Sequence, residues 1–191
     1  MEEKIEALKK EYEETLKAFG LDKLPRLVTE GGKINVLGKR WIVMSVDAFP
    51  GYLIKENILG EKLAKEVLYL FGYTYGEVVA ERYLSMGIPK EMIPNVTGAV
   101  MALFGGWGFP EFIESDLEKG RLVLKVYDDF ETESTRINNV EPSCNYIRGL
   151  FSSLLSKLIN AKTHATAEFK DGATVIVVEK VEHYKANLKL V

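Results

Sequence analysis

Two runs rich in β-branched residues, THATAEF (163–169) and TVIVVEKVE (174–182), stand either side of Asp171-Gly172. An Asp-Gly pair accepts the positive φ values of a tight two-residue turn, so the runs are expected to fold back on each other as an antiparallel hairpin. In RLVLKVYDDF (121–130), Leu122, Leu124 and Val126 alternate with Arg121, Val123, Lys125 and Tyr127, and FIES (112–115) precedes it across Glu118-Lys119-Gly120. Alternation by two is what antiparallel strands with one covered face require. A further hairpin is expected from 33–36 and 41–46 around Gly38-Lys39-Arg40. Strands joined in local pairs, with helices between the pairs, predict an α+β fold: an antiparallel sheet with helices packed on one face, and not a doubly wound nucleotide-binding sheet.

The helical segments follow from spacing. Ile5, Leu8, Tyr12, Leu16 and Phe19 fall on one face of a helix over 2–19, with Gly20 as a C-cap and Pro25 against its continuation. That face either packs on its own domain or pairs with another subunit. A long helical stretch runs from Tyr52 to about Met86, broken near Gly60, with Leu63, Val67, Leu70 and Phe71 as an apolar stripe continued by Val78, Val79, Tyr83 and Leu84. Gly72 and Gly76 interrupt it four residues apart, each costing about 1 kcal/mol relative to alanine. They clear side chains from one face, so that another element, or a ligand, can approach the backbone. Val96–Phe104 reads as a short apolar helix ending in GGWGFP, Glu133–Asn139 as a polar loop, and Ser143 as the cap of a helix reaching about Asn160. The expected division is an N-terminal helix and linker over 1–28 and one ligand-binding domain over 29–191.

Composition excludes several function classes. The net charge of −3, without a basic cluster or basic–aromatic stripe, points away from nucleic acid. A single cysteine rules out an intrachain disulfide framework and suits a reducing, cytoplasmic setting. The N-terminus is too charged for a secretory signal, and no apolar run approaches the ~18 residues of a membrane span. The charged complement is mostly Lys and Glu, as in thermophilic proteins.

Catalytic chemistry finds little purchase. Cys144 is the only thiol and His164 and His183 the only imidazoles, with nothing in the sequence to hold a base beside the nucleophile. There is no CxxC or HExxH spacing, and no GxGxxG follows a strand. The acidic run Asp128, Asp129, Glu131 and Glu133 fits a solvated strand end better than a calcium loop. No catalytic residue, metal or cofactor is expected, and the chain is not read as an enzyme. Two aromatic clusters around glycine remain, FGYTYG (71–76) and MALFGGWGFPEF (101–112). They are either plain core or the walls of an apolar cavity with tyrosine hydroxyls as polar handles.

LYLFGYTYGEVVAERYL (68–84) and SCNYIRGLFSSLLSKLINAKTHATAEF (143–169) resemble the glycine-containing central helix and the later cysteine–tyrosine–glycine stretch of the 4-vinyl reductase domain family, which is related to TRAPP vesicle-tethering subunits. In this sequence the later stretch supplies Cys144, Tyr146 and Gly149. The resemblance covers roughly residues 30–182. It implies an α+β domain, dimeric, that holds a hydrocarbon-like or aromatic molecule in an internal cavity as a sensor or carrier without catalysis. The alternatives are an assembly scaffold with a filled core, or an accessory to tetrapyrrole reduction. The ligand-binding residues expected are Phe71, Gly72, Tyr73, Tyr75, Gly76, Met101, Phe104, Trp107, Phe112, Cys144 and Tyr146. Many members of the family carry two further cysteines in the final hairpin that can hold a metal with the helix cysteine. Here that hairpin has none, so no zinc site carries over, and Cys144 is read as a small helix-start residue beside the cavity. The partners expected are a small hydrophobic molecule, a second copy of the chain, and a protein through which any signal passes.

Overall fold

The computed structural model describes residues 2–23, 28–30, 33–36, 39–42, 44–57 and 59–181. Pro25, Gly38 and His183 lie outside them. In chain order the elements are α1 (Glu2–Ala18), β1 (Val28–Glu30), β2 (Lys33–Val36), β3 (Lys39–Trp41), α2 (Gly51–Lys55) and α3 (Glu61–Ser85). They continue as α4 (Ile93–Val100), a π-helical turn (Met101–Gly105), β4 (Phe109–Asp116), β5 (Arg121–Tyr127), α5 (Phe130–Ile137), α6 (Asn145–Ile159), β6 (Thr163–Lys170) and β7 (Ala173–Lys180).

The larger sheet has the order β4-β5-β7-β6, antiparallel throughout. Its outer pairs are the two expected hairpins. In the second, Lys170 pairs with Ala173, and Asp171 and Gly172 take φ values of 51° and 76°, as a mirror-image tight turn demands. The central pairing of β5 with β7 is long-range, with Leu122 opposite Val178 and Leu124 opposite Ile176. These four side chains and Val126 are fully buried. The helices gather on that face: α6 lays Ile147, Leu150, Phe151, Leu154 and Leu158 against it, and α4 and α1 cover the β4 side. The result is an α+β fold with one covered sheet face. A second sheet, β1-β2-β3, pairs Ile34 with Trp41. Its β2–β3 hairpin therefore uses 39–41 in place of 41–46, and a third strand precedes it.

The apolar face of α1 is covered within the chain. Leu8, Tyr12 and Leu16 belong to the main core, and the Tyr12 hydroxyl donates to the Pro110 carbonyl of β4.

Three local expectations are corrected. The stretch expected as a polar loop over Glu133–Asn139 is largely helix, because Asp129 caps α5 by accepting from the Thr132 amide at 2.8 Å. Its inner side is polar, with Glu131, Thr132, Ser134 and Thr135 all buried. Ser143 does not cap α6. Cys144 occupies the cap position without capping the helix through its side chain, and Glu131 supplies the missing acceptor from below. On α3 the bulky stripe packs only in part. Val79 and Tyr83 are buried as expected and Val67 and Leu84 half-buried, but Leu63, Leu70, Phe71 and Val78 are exposed, and the rest of the buried side is Ala64, Leu68, Gly72, Gly76 and Ala80.

Candidate ligand-binding site

The glycine pair on α3 is a helix contact. A Cβ added at Gly72 would overlap the Tyr146 carbonyl, and one at Gly76 would overlap the Leu150 carbonyl. Gly149 answers from α6, where a Cβ would overlap the Tyr69 carbonyl. The contacts climb together along both helices, from Gly72 near Tyr146 to Gly76 near Leu150 and on to Lys157, which pairs with Glu81 at 2.5 Å. Backbones this close leave no room for a ligand at the glycines themselves. The approach instead fixes where Tyr75 and Tyr146 stand relative to each other, with ring centroids 6.2 Å apart.

Trp107 completes that arrangement. After the π-helical turn, Gly106 takes a left-handed φ of 64° and the Trp107 amide donates back to the Met101 carbonyl at 3.1 Å. Gly108 follows at φ 112°, beside the Tyr127 carbonyl, and starts β4. Two glycines at positive φ thus turn the indole inward. It stands edge-on to Tyr75 and Tyr146, both at 5.4 Å, and tilted against Trp41 at 5.9 Å and Phe130 at 6.2 Å.

Behind the indole lies a recess of about 50 Å³ between α3, α4 and α6. Tyr75, Val79, Arg82 and Tyr83 form its α3 wall, Met101 and Leu150 its inner walls, and Trp41 and Trp107 its rim. At ~10–15 Å³ per water this is space for roughly three to five waters, about a third of the ~150 Å³ that encloses a benzene ring, so a ring would enter it in part and extend past the rim. The lining is mostly apolar. Thr97 is satisfied by donating to the Ile93 carbonyl at 2.8 Å. Burial holds the phenols of Tyr75, Tyr83 and Tyr146 above their usual range, so all three remain protonated donors.

Under the site, Glu131 is fully buried and accepts three amides at the start of α6: Asn145 at 2.8 Å, Tyr146 at 2.9 Å and Ile147 at 2.9 Å. Desolvation pushes its carboxyl up to about 7, against the pull of those donors. Asp129 is raised by burial too, and its other oxygen accepts from Thr174 at 2.7 Å. Next to this pair Cys144 is buried, and burial first, then the Glu131 and Asp129 charges, push its thiol well up. A thiol in that setting stays protonated at neutral pH and is a poor nucleophile.

Of the residues expected at the site, Tyr75, Met101 and Trp107 line the recess and Tyr146 stacks behind them. The others are elsewhere. Phe71 is 60% exposed on the outer face of α3. Tyr73 stacks on Tyr69 and its hydroxyl faces Ser156 at 3.5 Å. Phe112 packs on Phe151 over the sheet at 5.7 Å, Phe104 lies half-buried against the main core, and Cys144 is buried at the N-cap of α6. Sequence reasoning misses Trp41, Val79, Arg82 and Tyr83. A signal exists for three of them: 75, 79, 82 and 83 are one helical face, so placing Tyr75 at a site places the rest. Trp41 has no such signal.

Among the described residues no three His, Cys, Asp or Glu side chains converge to hold a metal, and no helix is long and apolar enough to cross a membrane. No family model and no curated protein matches the sequence. Solved structures do match in fold. The sensory domain of the phenol-responsive transcription activator PoxR, crystallised with phenol, superposes with a TM-score of 0.72 at 19% identity, over 89% of this chain and 92% of that one. Trafficking protein particle complex subunit 3 from Naegleria fowleri, covalently bound to palmitic acid, gives a TM-score of 0.46 at 12% identity, over 72% of this chain and 94% of that one.

Proposed function

We propose that this chain is a sensory or carrier module that binds one small apolar molecule, with a single ring seated partly in the recess behind Trp107, and does no chemistry on it. The observation that carries the reading is the aromatic frame of Trp107, Tyr75, Trp41 and Tyr146 around an apolar space of about 50 Å³. A phenol-bound sensory domain of the same fold supports the same class of use. Tryptophan fluorescence and thermal melting against a panel of one-ring compounds test it. Saturable quenching with a raised midpoint is expected for the native chain. Trp107→Ala should abolish the quenching and cost roughly 2 kcal/mol, since the indole is only half-buried. No response from any one-ring compound would sink the reading.

The site residues that line the recess are taken as the ligand contacts, with Tyr146 behind them as support. A second copy of the chain is the partner through which binding is passed on. We place that copy on the outer face of α3, where Leu63, Leu70, Phe71 and Val78 are 47–60% exposed. Two copies packed antiparallel would meet at Leu70 and Phe71. Each large side chain buried there contributes on the order of 1.5–3 kcal/mol before entropy is charged against it.

A further inference from the structure

Three polar groups in the recess have no partner among the described residues: the hydroxyls of Tyr75 and Tyr83 and the guanidinium of Arg82. The last is the unusual one. Arg82 is half-buried on the α3 wall, between the two tyrosines and Met86. Its sequence neighbour Glu81, the nearest acid along the helix, is engaged by Lys157 at 2.5 Å. Tyr75, two turns earlier on α3, and Tyr83, next in sequence, line the same recess. An apolar recess that needed only to hold a hydrocarbon would gain nothing from a cation and two hydroxyls that no protein group engages among the described residues. A planar fork of N–H donors matches a carboxylate in two-point geometry, and two phenolic O–H groups add donors to the same anion.

We propose that Arg82 makes this a site for a small ring-bearing acid, with the ring against Trp107 and Val79 and its carboxylate on the Arg82 guanidinium, flanked by the Tyr75 and Tyr83 hydroxyls. The proposal rests on the ring-binding reading above and names the class of molecule it takes. No bond forms or breaks; recognition is by charge and shape.

The test compares benzoate with its neutral near-isosteres nitrobenzene and benzamide at pH 7, by fluorescence titration and thermal shift. The proteins are the native chain, Arg82→Gln and Arg82→Lys. Hydrogen bonds to a charged group imply that benzoate binds the native chain about tenfold or more tighter than either neutral compound. Arg82→Gln should remove that preference, so that benzoate and the neutral compounds bind within about twofold of each other, and Arg82→Lys should keep part of it. Neutral compounds that bind as well as benzoate, with Arg82→Gln silent, would overturn the acid proposal and leave the ring-binding reading standing. No binding by either class would bring down both. The melting midpoints of the variants without ligand show whether each is folded, and Arg82 has no protein partner among the described residues whose loss would unfold it.

Discussion

The indole of Trp107 stands at 86° to the ring of Tyr146, centroids 5.4 Å apart, so the loop before β4 and the first turn of α6 meet at one edge-to-face contact. Such a pair contributes roughly 0.5–1.5 kcal/mol beyond the area it buries. Its larger consequence is positional. Tyr146 is held by Glu131 through its amide and by Gly72 through its carbonyl, so anything that shifts α6 also moves the back of the recess.

Gly76 is the position where such a shift is easiest to force. Gly76→Ala should destabilise the fold by about 3 kcal/mol or more, because its Cβ meets the Leu150 carbonyl, which is helix backbone and cannot rotate away. Thr74→Ala, on the outer face of the same helix, should change stability by less than about 0.5 kcal/mol. Urea unfolding of the two variants checks the contrast, and equal midpoints would show that α3 and α6 are not locked at this point.

Glu131 gives the fold a pH dependence of definite sign. Its folded carboxyl titrates at about 7, above the ordinary 4.5, so the native state keeps a proton that the unfolded chain has released. The stability this supplies is fully present below about pH 4.5 and is lost as the pH rises through about 7. The unfolding free energy from urea titrations should therefore fall between pH 5 and pH 8, by no more than a few kcal/mol. Glu131→Gln should lower stability at pH 5, where one of three amides loses its acceptor, and flatten the slope above it. A variant as pH-sensitive as the native chain would assign the slope to another group, with Asp129, also raised, the first to examine.

The role of α1 separates cleanly by substitution. Tyr12→Phe should cost about 1 kcal/mol, the hydrogen bond to Pro110, and Tyr12→Ala about 3–5 kcal/mol, because the ring is 2% exposed in the main core. Removing residues 1–19 should yield an unstable chain and not a stable monomer. A truncated protein that melts normally would return α1 to the role of a free interaction helix.

The outer face of α3 is tested by charge. Leu70→Glu combined with Phe71→Glu should leave the melting midpoint of dilute protein within a few degrees, since both side chains are more than half exposed. The same pair should convert a dimer to a monomer in light scattering. A native chain that is monomeric at every concentration sinks the interface, and a dimer that survives the double change moves it to another surface.

Local chemistry makes the hairpins legible in the sequence. The Asp171-Gly172 turn and the alternation at Leu122, Leu124 and Val126 depend only on neighbours along the chain, and both hairpins of the larger sheet form where that chemistry puts them. The break at Gly60 and the aromatic character of 101–112 are equally local, and Tyr75, Met101, Trp107 and Tyr146 do converge. Tertiary packing alone decides which side of α3 faces inward. That helix carries a bulky stripe and a small-residue stripe, and periodicity favours the bulky one. Burial goes to Ala64, Gly72, Gly76 and Ala80 because Gly149 on α6 offers a matching gap, and two backbones can approach only where both lack side chains. The polar segment after Asp129 escapes sequence reading for a related reason. Its inner residues are satisfied by partners far away along the chain, as when Thr132 meets Thr174 at 3.2 Å and Glu131 meets the start of α6. The recess itself is long-range by construction, since Trp41 and Trp107 are 66 positions apart yet their rings lie 5.9 Å from each other. Sequence spacing determines which side chains share a face; only the packing of backbones decides which face closes and which is left open.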